Sequence, residues 1–184
     1  LSDRNADLVA DQIDLALRIG ALEDSSMMAV RLGEVRRVVC ASPQFLKLHG
    51  APEAPAALVD LPCITFGSSA TPSWPFASKG RSATAISIRA RLAVNTAEAA
   101  LDAALAGVGL TQVLSYQAAD AVKDRRLKIV LSEFEGKALP VHLLYPAQPQ
   151  PPLKMRRFLE FAVPRVKKTL AEVEKKTGLP KDRA

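Results

Sequence analysis

Asp14-Leu15-Ala16-Leu17-Arg18-Ile19-Gly20 is the stretch on which the fold turns. It reads as a strand that closes on a glycine turn. Before it, residues 7–12 form a polar segment with Leu8, Val9 and Ile13 at helical spacing. After it, residues 28–41 make a longer extended run, dense in β-branched side chains, with Gly33 expected at a turn or bulge. Ser42-Pro43 then opens a helix. Serine is a good N-cap, proline at the first helical position lacks a donor that would go unpaired there, and Gly50 is placed to end the helix. Phe45, Leu46 and Leu48 are its expected buried stripe.

Further along, Pro52, Pro55 and Pro62 make a rigid connector with a short helical piece around Ala56-Ala57-Leu58. A second block opens with Cys63-Ile64-Thr65-Phe66-Gly67, a short strand running into Ser68-Ser69. Residues 71–82 are expected as loop around Trp74 and Phe76. Residues 86–94 alternate Ile86/Ile88 and then Leu92/Val94 with Arg89 and Arg91, as a half-exposed strand does. Asn95 with Glu98 three residues on has capping-box spacing. The helix it opens buries Leu101, Ala104, Leu105 and Val108, and Gly107 and Gly109 end it. Strands follow at residues 110–114, 128–131 and 139–145, with a helix from Ser115 through Val122. The last long helix buries Met155, Phe158, Leu159, Ala162, Val166, Leu170 and Val173, and Pro164 is expected to kink or break it near Val163. Strand and helix in alternation predict an α/β fold with a largely parallel sheet in each block.

Composition sets the bounds. With 184 residues, 48% apolar and 24% charged, the chain has the makings of a real core in one domain or two small lobes. No run approaches the roughly 18 apolar residues of a membrane span. The first residues carry neither Met nor a basic-then-apolar leader, so the chain is expected to start within a longer protein or to have been processed. Cys40 and Cys63 lie in apolar strand-like runs and are read as free, buried thiols of a reducing compartment. Neither belongs to a CxxC or Cys/His cluster, so no metal is expected. The net charge of +6 resides entirely in residues 151–184, which hold ten basic and four acidic residues. A basic tail of this kind can follow a phosphate backbone, but a solvated helix face with a frayed end is the preferred reading.

Groups suited to catalysis are scarce. His49 precedes Gly50 at a helix end, and His142 lies in the apolar run Pro140-Val141-His142-Leu143-Leu144-Tyr145, where a packed or hydrogen-bonded histidine is expected. There is no G-x-S-x-G elbow, HExxH pair, P-loop or Rossmann fingerprint. Gly107-Val108-Gly109 ends a helix, the wrong polarity for a phosphate cradle. Glu133 and Glu135 fall in an exposed-looking loop. The expectation is a protein that is not an enzyme, with no catalytic residue, cofactor or metal. What stands out instead is a set of small polar groups at strand ends: Arg18-Ile19-Gly20, Thr65 to Ser69, and Asn95-Thr96. In open α/β sheets ligands bind beyond the carboxyl ends of strands, where amides and helix N-termini converge.

Taken together the motifs resemble a known family. The opening stretch, then Leu22 and Asp24-Ser25-Ser26, is similar to LysR-type transcriptional regulators. Arg31-Leu32-Gly33, Arg37-Val38-Val39-Cys40-Ala41-Ser42-Pro43, Phe45-Leu46 and His49-Gly50-Ala51-Pro52 continue the likeness. So do Val94-Asn95-Thr96, Gly107-Val108-Gly109-Leu110 and Leu143 with Tyr145-Pro146, so that it covers about residues 1–165. The resemblance implies a periplasmic-binding-protein type II-like effector domain of two Rossmann-like lobes. Lobe I would be residues 1–62 plus 139–175, lobe II residues 63–138, and residues 176–184 a basic tail. It implies a small-molecule effector held between lobes by Arg18, Ile19, Gly20, Thr65, Phe66, Gly67, Ser68, Asn95 and Thr96. For an anionic effector, Arg18 and the helix end at Asn95-Thr96 would be the natural partners. The resemblance further implies promoter DNA as a partner, a homodimer or homotetramer, a cytoplasmic setting and no membrane. The winged helix-turn-helix, its linker helix, and the first strand and helix of the effector domain are expected to precede Leu1. A solute-binding protein of a transporter would share the architecture and is the alternative reading.

Overall fold

The computed structural model describes residues 13–22, 27–67, 72–78, 81–147 and 152–178. The expected helix at residues 7–12, Asp24-Ser25-Ser26, Ser68 and the tail beyond Gly178 lie outside the described residues. Strands β1 (Ala16–Ile19), β2 (Met27–Val35) and β3 (Arg37–Ala41) lead into helix α1 (Pro43–His49) and a 3-10 turn over Pro55–Val59. Strands β4 (Cys63–Phe66), β5 (Ser73–Ser78), β6 (Arg81–Ser87) and β7 (Ala90–Val94) precede helix α2 (Ala97–Leu105). Then come β8 (Leu110–Leu114), α3 (Ser115–Lys123), β9 (Lys128–Val130), β10 (Leu139–Pro146) and α4 (Leu153–Thr177). The chain divides into two units, one drawn from Leu1–Val35 and Leu139–Glu172, the other from Arg36–Ala138 and Val173–Ala184.

The first unit holds a three-stranded sheet in the order β1-β10-β2, both pairings antiparallel. Gly33 stands opposite Val141 and Arg31 opposite His142, leaving Leu32 as the extra residue of a bulge. The glycine expected at a bulge is there for a second reason as well. A Cβ on Gly33 would come within 3.0 Å of the Leu170 Cδ1 on α4. Pro164 does not break α4, which runs 25 residues through it. The lost donor and ring clash cost on the order of 3 kcal/mol, which a helix of that length absorbs without losing continuity. Its apolar stripe is thinner than expected: Met155 and Val173 are buried, Phe158 is exposed, and Leu159, Ala162, Val166 and Leu170 are half-buried.

The second unit is built on a five-stranded sheet in the order β7-β4-β8-β3-β9. β4 runs parallel to β7 and β8, whereas β3 is antiparallel to both β8 and β9. Successive residues of β3 serve opposite faces, as the two-residue strand period requires. Val38 and Cys40 join Ile64, Ala100, Ala104 and Val113 under α2 and α3. Val39 and Ala41 join Phe45, Leu58, Cys63, Leu110, Trp74 and Phe76 on the other face. Cys40 and Cys63 are free and point to opposite faces, on strands separated by β8. Two strand spacings, about 9.6 Å, exceed the reach of a disulfide.

Several expectations change here. Neither sheet is largely parallel, because among the described residues no α-helix separates β1 from β2, β2 from β3, or β9 from β10. The break in the chain's division falls between β2 and β3 rather than at residue 62, since Arg37–Ala41 pair with β8 and β9. Residues 71–82 were expected as loop, yet β5 and β6 form an antiparallel hairpin that buries Trp74 and Phe76 against the sheet. The single strand expected over residues 86–94 is two, broken at buried Ile88, whose N–H donates to the Pro72 carbonyl at 2.9 Å. Residue 176 is not the start of a tail, since α4 extends to Thr177.

Candidate functional site

Thr65, Phe66 and Gly67 lie at the carboxyl end of β4, with Thr65 opposite Ala93 and Phe66 opposite Val94 on the parallel strand β7. The Gly67 N–H donates to the Val94 carbonyl at 3.1 Å, and its φ of +94 is the left-handed conformation that glycine tolerates. β7 runs on through Asn95 to Thr96, the N-cap of α2. Five expected residues therefore meet at one end of the parallel part of the sheet. Thr96, not Asn95, is the cap: its Oγ1 accepts the Ala99 N–H at 3.2 Å. With the cap one residue later than expected, position N3 is Ala99 rather than Glu98, and no capping box forms.

A cleft of about 380 Å³ opens in this unit. Thr65 and Phe66 line it together with Arg37 of β3, Gln112, Val113 and Leu114 of β8, and Pro72, Ser73, Trp74 and Pro75 of the hairpin. Asn95 and Thr96 are not among its walls. Arg37 pairs with Leu114, which brings the amino end of antiparallel β3 to the carboxyl end of β8. The Gln112 Nε2 donates to the Pro75 carbonyl at 3.4 Å, tying sheet to hairpin. Sequence reasoning missed Arg37, Ser73, Trp74, Pro75 and Gln112. The one available signal was Gln112, an amide beside Thr111 inside the strand run Leu110-Thr111-Gln112-Val113-Leu114.

Arg18, Ile19 and Gly20 close β1 in the first unit. Arg18 stands opposite His142 and Ile19 opposite Val141, and all three are half-buried. The Gly20 N–H donates to the Pro140 carbonyl at 2.9 Å, with φ at +117.

Other chemistry-bearing groups serve structure. Glu135 is not exposed: it lies 3.9 Å from the Arg36 guanidinium, with side chains only 9% and 14% accessible. His49 stacks on Phe45 at a 4.5 Å centroid distance. His142 lies half-buried in β10, its Nδ1 without a hydrogen-bond partner among the described residues. Burial pushes both the Cys40 and the Cys63 thiol up to about 12, which keeps them protonated and poor as nucleophiles at neutral pH. Among the described residues no group of three or more His, Cys, Asp or Glu could hold a metal ion, and no helix is long and apolar enough to cross a membrane. The cleft offers a guanidinium, an amide, hydroxyls and rings, a set suited to holding a small molecule.

Comparison with known proteins fits this architecture. The family model described as LysR substrate binding domain matches residues 1–167. The chain is 29% identical over 150 residues to the HTH-type transcriptional activator AaeR of Escherichia coli, covering 82% of this chain and 48% of that protein. It is 33% identical over 149 residues to a putative transcriptional regulator of Pseudomonas aeruginosa, covering 79% and 48%. The chain thus spans about half the length of these curated relatives. Among solved structures it is similar to full-length AphB, the Vibrio cholerae virulence activator, with a TM-score of 0.75 and 26% identity over 87% of this chain and 55% of that one. The regulatory domain of CrgA from Neisseria meningitidis gives a TM-score of 0.75 and 25% identity over 90% and 81%. The α/β, periplasmic-binding-protein type II-like class expected from the sequence is the class of these regulatory domains. The chain belongs to the LysR substrate-binding domain family.

Proposed function

We propose that this chain is the effector-sensing part of a LysR-type transcriptional regulator and that it binds a small molecule without transforming it. The observation that carries the reading is the polar cleft at the carboxyl ends of β4 and β8, with buried Thr65 in its wall. That is where open α/β sheets hold their ligands. In this reading the two units serve as the two lobes; the contacts proposed within the second are Thr65, Phe66, Gly67, Ser68, Asn95 and Thr96, and those proposed within the first are Arg18, Ile19 and Gly20. Occupancy would alter how a winged helix-turn-helix outside this chain holds promoter DNA. The assembly would be a cytoplasmic homodimer or homotetramer with no membrane partner.

Thermal-shift screening of the chain against a metabolite library tests this. A true effector at a hundred times its dissociation constant stabilises by about 2.7 kcal/mol. Thr65→Val removes that response while changing stability by no more than about 1 kcal/mol. A response that survives Thr65→Val moves the site elsewhere, and no stabilising metabolite at all defeats the sensor reading.

A further inference from the structure

The five-stranded sheet ends at β9, which pairs with β3 alone among the described residues and leaves its outer edge open. Beside it lies a second cleft, of about 440 Å³, that shares no residue with the one at Thr65. Pro43, Val122, Leu127 and Ile129 give it an apolar lining, and Arg125 and Lys128 are its cations. Both are exposed, and neither makes an ion pair among the described residues. Among those residues the cleft walls hold no Asp or Glu. Cations near helix carboxyl ends ordinarily offset the helix dipole. Here Lys123 in the last turn of α3, and Lys175 with Lys176 in that of α4, already do so. Arg125 and Lys128 lie beyond those helices and are surplus to that need. Arg125 also occupies a position that usually falls to glycine. It follows Asp124, the C-cap of α3, with a φ of +58. Its N–H and that of Arg126 donate to the Val122 and Ala121 carbonyls at 3.0 and 2.8 Å, closing the helix in a turn where a residue without a Cβ is unstrained. A long charged side chain kept there at a conformational cost points to work outside the fold.

We infer that the cleft beside β9 docks an extended acidic segment of a partner protein, with one apolar side chain of that segment entering its lining. An open strand edge offers main-chain hydrogen bonds to an added strand, and pockets for its alternate side chains supply specificity. Lys on a short edge strand commonly blocks pairing between copies of the same chain. The charges that repel a second copy admit a strand of opposite sign, so Arg125 and Lys128 select an acidic partner. A nucleic-acid backbone would meet the two cations and leave Pro43, Val122 and Ile129 uncovered, whereas an acidic strand with an apolar residue meets both kinds of group. This surface shares no residue with the proposed effector contacts, and the inference does not depend on the sensor reading.

Fluorescence polarisation of the 184-residue chain with a fluorescein-labelled heptapeptide, Glu and Asp around one central Leu, tests this. The peptide is expected to bind saturably. Exchanging its Leu for Ala weakens it about tenfold, through the apolar area lost. N-methylating alternate backbone amides, which removes strand pairing, weakens it as well, and a peptide with Lys in place of its acids does not bind. Lys128→Gln and Arg125→Gly each weaken binding about two- to fivefold, the range of an exposed ion pair, and together they weaken it further. Arg125→Gly separates docking from folding: relief of the left-handed strain offsets the added freedom of glycine in the unfolded chain, so the melting temperature should stay about where it is. No binding of the acidic peptide, equal binding of the Lys peptide, indifference to N-methylation, or full binding by the double variant would each overturn the inference. Duplex DNA of unrelated sequence that binds more tightly than the peptide, and is weakened by the same two substitutions, would make this a phosphate contact and overturn it too.

Discussion

The two units cover their sheets differently. In the five-stranded sheet, β3 is buried from Val38 to Ala41 because α2 and α3 lie on one face and α1 with the β5–β6 hairpin on the other. In the three-stranded sheet, no residue of β1 is fully buried, and Leu17 is 51% exposed. A strand covered on both faces reads as a continuous apolar run, and one covered on a single face mixes polar and apolar residues. Thr111 is fully buried within β8 all the same, and the cleft opens where β4 ends, beside the polar Thr65 and Gln112.

Truncating a side chain in each sheet tests the contrast most severely. Ile64 is fully buried between strands and helices, so Ile64→Ala should cost about 2–5 kcal/mol through lost transfer energy and the cavity left behind. Leu17→Ala, at an exposed position, should stay within about 0.5 kcal/mol. Chemical denaturation of the two variants reads both values. Comparable losses would mean that β1 is packed as tightly as β4, and the distinction between the units would go.

The next test contrasts the neighbouring arginines. Arg36→Gln removes the guanidinium that lies 3.9 Å from the nearly inaccessible Glu135 carboxylate and should cost about 1–3 kcal/mol. Arg37→Gln should change stability by less than about 0.5 kcal/mol, because its guanidinium meets no acid among the described residues. If the two variants melt alike, the division of labour between them is wrong.

A smaller effect separates the two residues before α2. Thr96→Ala removes the hydroxyl that accepts the Ala99 N–H and should cost about 1 kcal/mol. Asn95→Ala should cost no more than a few tenths by comparison, since exposed Asn95 caps nothing. The reverse order would restore the cap to the position that residue spacing alone suggests.

The cap shows why some of this structure was legible in the chain and some was not. Local signals were sufficient where they act locally: Ser42-Pro43 opened α1, Leu110–Leu114 is a strand over the expected residues, and Gly33 sits at a bulge. Asn95 and Thr96 are both competent caps, and only the backbone dihedrals, extended at Thr96, choose between them. The hairpin was hidden because Pro75 lowers strand propensity, while burial of Trp74 and Phe76 against Leu58, Cys63 and Leu110 overrides it. For the site, Thr65 and Phe66 could be found as polar or terminal residues of a strand. Arg37 could not: it looks like a second copy of Arg36 until antiparallel pairing with Leu114 sets it at the cleft. The break between units was hidden for the same reason, because residues 28–41 are one extended run in sequence and belong to two sheets in space.

The smallest expected effect concerns the end of α4. Lys176 donates to the Asp120 carboxylate on α3 at 2.8 Å. That hydrogen bond first, then the attraction of the same lysine and of Lys123 and Arg126, holds the Asp120 carboxyl below its ordinary value of 3.8. A carboxyl lowered on folding adds stability above its unfolded value and loses it as pH falls through the lower folded one. The contribution is therefore intact at neutral pH and fades only in acid. Asp120 is largely exposed, so water and salt screen the pair, and its effect should lie below all of those above. Carboxyl resonances followed from about pH 5 down to about pH 2 should show Asp120 titrating low, and Lys176→Ala should return it towards 3.8. An Asp120 that titrates at its ordinary value in the parent chain would mean that this end of α4 does not hold α3 in solution. The second unit would then be closed by its own sheet and by helices α1 to α3.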